Sequence, residues 1–198
     1  QDEAGRRFKS LDEILRFSPL AHANFSNWHV MENADFTSEE TIYKRYRAYY
    51  PPEWGDKAPA GSSASVFFYN TLFMWPMLTF GYENFMMLCL DPEFDRIIDE
   101  FAEISRRVFR AFAKLPVNFV ICHDDIALAN GPVCSPAWMR KHIFPRYQEY
   151  WSLLTQTGKH VIFMVDGCVD VFVDDVMRCG ARGFISEPFT NFKSIAKR

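Results

Sequence analysis

The sequence contains no CxxC pair, and its five cysteines, Cys89, Cys122, Cys134, Cys168 and Cys179, are odd in number and widely spaced. That excludes a disulfide-stapled scaffold and a zinc knuckle, and it predicts reduced thiols in a cytoplasmic protein. Positive charge is not in surplus: 22 Lys and Arg stand against 25 Asp and Glu, a net charge of -3. With an isoelectric point near 6.0, nothing draws the chain broadly to nucleic acid or to an anionic membrane, and neither is expected as a partner. The longest apolar run, Val66 to Leu78, is interrupted by Asn70, Thr71 and Pro76 and is too short to cross a bilayer. A phosphate-cradling glycine loop, a nucleophile elbow and an HExxH pair are all missing, so nucleotide binding, serine hydrolysis and zincin chemistry are set aside. No signal peptide is visible, and a chain that opens on Gln1 is expected to have lost its true N-terminus.

What remains is a globular composition. In 198 residues, 48% are hydrophobic, 24% charged and 17% aromatic, enough for one substantial core. The twenty Phe are expected chiefly in packing, with an aromatic pocket for a flat ring as the less common use.

Ser10-Leu-Asp-Glu13 is a capping-box pattern that predicts a helix from Leu11 to Phe17. Thr37-Ser-Glu-Glu40 opens a second, running to about Tyr49, with Lys44, Arg45 and Arg47 near its end, where cations favour the helix dipole. Between them, residues 18–36 show no usable period, and His22, Asn24, Asn27, Trp28 and His29 read as surface or core filler. Pro51-Pro52 stops the second helix and a Gly, Pro, Ser and Ala-rich loop follows to Ser65. This divides the chain into an N-terminal helical segment, 1–57, and an α/β segment, 58–198. Val66 to Phe80 reads equally as a buried helix or as a strand leading into one. After Asp91-Pro92-Glu93, the spacing of Phe94, Ile97, Ile98, Phe101, Ile104, Val108, Phe109 and Phe112 marks one face of a long helix. Ser135-Pro136 starts another, running to about Thr157 with a kink at Pro145, and Asp170 to Cys179 forms a shorter one closed by Gly180.

Between these helices, three apolar runs end in acidic residues: Val117 to Cys122 before His123-Asp124-Asp125, His160 to Val165 before Asp166-Gly167, and Gly183 to Ser186 before Glu187-Pro188. The first run breaks strict alternation, which predicts a strand covered on both faces. Strand, polar tip and helix repeated in this order predict a parallel α/β sheet or barrel whose tips converge on one crevice. Each acidic tip taken singly is as well explained by capping the next helix; three in succession favour a shared site. Cys122, His123, Asp124 and Asp125 are all metal-ligand types, but consecutive strand residues point to opposite sides, so at most two address one site. The favoured reading is an acidic ring of Asp124 or Asp125 with Asp166 and Glu187, in which crowding raises the carboxyl pKa values and leaves one as a general acid. No bound metal is predicted.

Taken together these residues resemble the uroporphyrinogen decarboxylase superfamily, which includes the cobalamin-dependent methyltransferases. The likeness lies in Gly81-Tyr-Glu-Asn-Phe85, Asp91-Pro92, His123-Asp-Asp125, Gly131-Pro132, Ser135-Pro136 with Phe144-Pro145, Asp166-Gly167 and Glu187-Pro188, in that order over Phe73 to Arg198. The resemblance implies a (βα)8 TIM-type barrel, incomplete in this chain because a full barrel takes about 250 residues. It further implies methyl transfer between a small O-, N- or S-methyl compound and a corrinoid carried by a partner protein, with no tightly bound cofactor. In that reading Asp124, Asp125, Asp166 and Glu187 supply the acid, His123 orients or relays the proton, and Phe67, Phe68 and Trp75 line the substrate pocket; a homodimer is compatible. The zinc-dependent members carry His-x-Cys where this chain has Met164-Val-Asp166, so zinc of that type is not expected. The decarboxylases carry an N-terminal arginine motif without counterpart here, which makes decarboxylation of a tetrapyrrole the alternative. A non-catalytic barrel docking a corrinoid protein is the second alternative.

Overall fold

A computed structural model describes residues 8–23 and 35–197. Asn24, Asn27, Trp28 and His29 lie outside the described residues. The helices are α1 (Leu11–Arg16), α2 (Glu39–Arg47), α3 (Met74–Phe80), α4 (Tyr82–Leu88), α5 (Phe94–Ala113), α6 (Pro136–His142), α7 (Phe144–Gln156), α8 (Val173–Cys179) and α9 (Phe192–Ile195). The strands are β1 (Ser65–Phe68), β2 (Phe119–His123), β3 (Ala127–Leu128), β4 (Gly131–Pro132), β5 (His160–Val165) and β6 (Ala181–Ser186). None of the described helices is long and apolar enough to cross a membrane.

The central sheet has the order β1-β2-β5-β6, and every pairing is parallel. The short β3 and β4 make a separate antiparallel pair. Because the order is sequential, each crossover brings its helices back to the same side of the sheet. Aromatic packing identifies that side: Phe68 of β1 meets Phe109 and Phe112 of α5, and Phe163 of β5 meets Tyr147 and Trp151 of α7. On the opposite side Phe67, Ile121, Ile162 and Met164 are only partly covered. The expected two-sided burial of β2 is therefore corrected: Val120 and Cys122 are buried while Phe119 and Ile121 are half-buried. All the connecting helices were spent on one face, and the other is left with apolar residues and no covering layer among the described residues.

The long amphipathic helix forms as its spacing predicts, with Phe94, Ile97, Ile98, Phe101, Ile104, Val108, Phe109 and Phe112 all buried. Ser10 caps α1 as expected, its hydroxyl accepting from the Glu13 N–H. In the second helix the cap is Ser38, not Thr37, because Asp35 accepts both the N–H and the hydroxyl of Thr37. The helix expected as one kinked piece from Pro136 is two, broken at Ile143 with Pro145 in the first turn of α7. Val66 to Phe80 resolves into β1, a tight connection and α3. Residue 57 marks no division between cores: Ile14, Phe36 and Ile42 belong to the same hydrophobic cluster as the sheet and α5. All five cysteines are free thiols.

Candidate functional site at the strand tips

The carboxyl ends of β2 and β5 lie side by side, with His123 paired to Met164 at the last rung. Period-two alternation then decides which residues of the tip share a side. His123 and Asp125 face one way, while Cys122 and Asp124 face the helices.

Asp124 is completely buried. Its carboxylate accepts hydrogen bonds from the backbone N–H groups of Leu72 (2.6 Å), Phe73 (2.8 Å) and Met74 (2.8 Å) and from the Tyr147 hydroxyl (2.6 Å). Those amides are the orphan donors at the start of α3, so Asp124 caps that helix from another strand. Burial pushes its carboxyl up to about 6 against the pull of Tyr147 and the three amides. With its lone pairs engaged and no exposure, Asp124 is a structural anchor rather than a member of an acidic ring open to substrate.

His123, Asp125 and Asp166 do come together: one ligand atom from each falls within 4.8 Å of the others. His123 Nδ1 lies 2.9 Å from the Tyr69 carbonyl oxygen, and because a carbonyl only accepts, Nδ1 carries a hydrogen. Nε2 then lies 3.1 Å from Asp125 Oδ1. Asp125 Oδ1 also accepts the backbone N–H of Asp166 at 3.0 Å, which fastens the tip of β5 to that of β2. Burial disfavours the imidazolium, but Asp125 first and the Tyr69 carbonyl next outweigh it, and the His123 pKa is raised. His123 is 1% exposed, Asp125 half-buried and Asp166 exposed, so the cluster runs from the interior to solvent.

Tyr69 is a member that the sequence reading missed. Its ring stands 4.6 Å from the imidazole, it is 42% exposed, and burial together with the Asp125 and Asp166 charges raises its phenol pKa. The signal was present: Tyr69 follows β1 as His123 follows the body of β2, but no charged residue marks that tip as it does the others. Of the three aromatics expected to line a pocket, Phe67 alone is at the cluster, 41% exposed and 6.2 Å from the His123 ring. Phe68 and Trp75 are corrected to core residues. Phe68 packs against α5, and the Trp75 indole N–H donates to Ser105 Oγ, whose hydroxyl donates to the Thr71 carbonyl. Glu187 is exposed after β6 and is not one of the three converging residues.

A cavity of about 930 Å³ lies at the other end of the sheet, lined by Glu39, Lys114, Asn118 and Lys159 among others. Lys114 and Asn118 precede β2 and Lys159 precedes β5, which puts the cavity at the end where parallel α/β folds keep stability rather than chemistry. The convergence of His123, Asp125 and Asp166 therefore makes the stronger candidate.

No family model, curated protein or solved structure matches this chain. The functional reading accordingly rests on the residues themselves. The donor set is one imidazole and two carboxylates, capable of holding a proton, a cation or both in turn. No cysteine is among the converging residues, so the set is not a thiolate metal site.

Proposed function

We propose that the four parallel strands belong to a (βα)8 barrel of the uroporphyrinogen decarboxylase type, and that the protein moves a methyl group between a small O-, N- or S-methyl compound and a corrinoid on a partner protein. The observation that supports this reading is the meeting of His123, Asp125 and Asp166 at the carboxyl ends of adjacent strands, beside the exposed rings of Phe67 and Tyr69. A corrinoid on that partner would supply cobalt(I) as the nucleophile, the bond to the methyl carbon forming as the one to the heteroatom breaks. The bond from the methyl carbon to oxygen, nitrogen or sulfur breaks with its electron pair left on the heteroatom, a poor leaving group unless it receives a proton or a Lewis acid. In this chain the proton is shared by His123 and Asp125, and Asp166 is the member within reach of a substrate on the open face. Phe67 and Tyr69 offer apolar surface to the body of the methyl donor.

Decarboxylation of a polycarboxylate is the weaker reading, because the two carboxylates repel an anionic substrate and no arginine pairs with either among the described residues. The test supplies cob(I)alamin with methoxy-aromatics, methylamines and methyl thioethers and follows the visible spectrum for methylcobalamin. Formation with one donor class is expected, and His123→Gln, which removes the group that shares the proton with Asp125, should slow it by about 100-fold or more, the range of a lost general acid. Absence of product with every donor, from folded protein, would remove methyl transfer from consideration.

A further inference from the structure

We propose that His123, Asp125 and Asp166 form a binding site for one divalent transition-metal ion, with His123 Nε2 and one oxygen from each carboxylate as ligands. The inference stands on the geometry of the cluster and not on methyl transfer.

The first support is the imidazole. Donation of Nδ1–H to the Tyr69 carbonyl fixes the tautomer, so in the neutral ring Nε2 presents a lone pair. Metal-bound histidines are oriented in this way, by a backbone carbonyl or carboxylate on the other nitrogen. Nε2 sits in a ring that is 1% exposed and has no hydrogen-bond partner, although Asp125 Oδ1 is 3.1 Å away. A buried Nε2 facing a carboxylate oxygen calls for a positive species between them, and that place is open to a proton on the ring or to a cation that displaces it.

The second support is spacing. Ligands about 2.0–2.2 Å from a zinc-sized ion lie roughly 3–3.5 Å from one another. The Nε2 to Oδ1 separation of 3.1 Å meets that, and the third donor lies within the 4.8 Å circle. The third support is charge. Asp125 and Asp166 are held together by the Asp166 N–H, and no lysine or arginine pairs with either among the described residues. His123 ends β2 while Asp125 and Asp166 follow β2 and β5 within two residues, so the backbone brings the three donors to one place and the exposed Asp166 side chain completes the set.

One imidazole with two carboxylates selects zinc, cobalt, manganese or iron over the all-oxygen preference of magnesium and calcium. Three protein ligands on a solvent-facing side leave a coordination position for water or a substrate heteroatom, the arrangement of a catalytic rather than a structural ion. The site also differs from the superfamily's own zinc centre, because both of its strand tips contribute oxygen or nitrogen and neither a thiolate.

Titration of the chelator-treated full chain with Co2+ tests this without any turnover. Binding of about one equivalent, with a visible ligand-field band that Zn2+ abolishes and a roughly hundredfold excess of Mg2+ does not, is expected. Asp166→Asn should weaken Co2+ binding at least about 10-fold. Because Asp166 is exposed, that variant should keep the circular dichroism and metal-free melting temperature of the parent. Asp125→Asn should weaken binding likewise, and a fixed Zn2+ concentration should raise the melting temperature of the parent by more than that of either variant. No saturable binding, or binding that both variants retain unchanged, would overturn the proposal. A chain that binds the ion yet transfers no methyl group would keep the site and discard the methyltransferase reading.

Discussion

Asp124 and Asp125 are neighbours in the sequence and have different work. Alternation along β2 turns Asp124 into the interior, where four donors meet it, and turns Asp125 to the open side beside His123. Replacing Asp124 with Ala leaves the Leu72, Phe73 and Met74 amides and the Tyr147 hydroxyl without their acceptor. Each buried donor so stranded costs about 1–3 kcal/mol, and with partial relaxation the expected loss is about 3–5 kcal/mol. Urea denaturation read at the midpoint checks it, and Asp124→Asn, which keeps one acceptor oxygen, should lose less. An unchanged midpoint in Asp124→Ala would mean that the start of α3 finds other partners. The parity rule, that at most two of the four residues from Cys122 to Asp125 share a side, was legible in the sequence and holds for His123 and Asp125. Which parity faced the helices was not legible, because that depends on where α3 begins, and no charged residue from Val66 to Phe80 marks that start.

At the scale of elements, the tip of β5 is fitted to β3 through Gly167. Its φ is +134°, and a Cβ there would stand 2.6 Å from the Ala127 carbonyl oxygen and 2.8 Å from its carbon. Backbone atoms cannot move aside as a side chain can, so Gly167→Ala combines a strained conformation of about 1–3 kcal/mol with overpacking of similar size. Gly183 offers the contrast: the nearest atom to its Cβ would be Ile162 Cδ1 at 2.8 Å, the far end of a flexible side chain. Thermal melts of the two variants should separate clearly, with Gly167→Ala the less stable, and equal melts would show that the β3 segment yields as readily as an isoleucine methyl. The Asp166-Gly167 pair was legible as a strand ending, as were the ends at His123 and Ser186, because apolar runs there give way abruptly to charge. The first strand was not, since from Tyr69 to Phe73 only Asn70 and Thr71 break the apolar run and no charge marks the strand's end. The break at Ile143 was likewise read only as a bend: Pro145 forbids one hydrogen bond, but whether a helix bends or restarts is decided by packing, here that of Phe144 on Phe172 and Tyr147 on Phe163.

Across the whole molecule, the helical layer is tied together by ion pairs as well as by its aromatic core. Arg106 joins α5 to Glu149 of α7, Arg146 of α7 reaches Asp99 of α5, and Arg140 of α6 holds Asp175 of α8 at 2.9 Å. The sequential order of strand and helix could be read from the alternation of polar tips and helical periods, whereas the one-sided layering ran against the expected two-sided burial of β2. The exposed apolar face could not, because alternation within a strand does not say what covers each side. Asp175 gives this layer a pH dependence. Burial alone would raise its carboxyl, but the guanidinium groups of Arg140 and Arg178 outweigh burial and hold it below the ordinary value. A carboxyl depressed in the folded state binds its proton less tightly than in the unfolded chain, whose aspartates titrate at about 3.9. Its contribution to stability is therefore complete above that pH and disappears as the pH falls through the lower folded value. Asp175→Asn should lower the urea midpoint at pH 7 and pH 5 by the same amount, and the gap from the parent should close below about pH 4. Arg140 and Arg178 are 52% and 67% exposed, so 1 M salt should narrow the gap at pH 7. A gap that widened toward acid would mean that Asp175 is protonated more readily in the fold than in the open chain, and would take the ion pairs out of the account of how α6 and α8 are held.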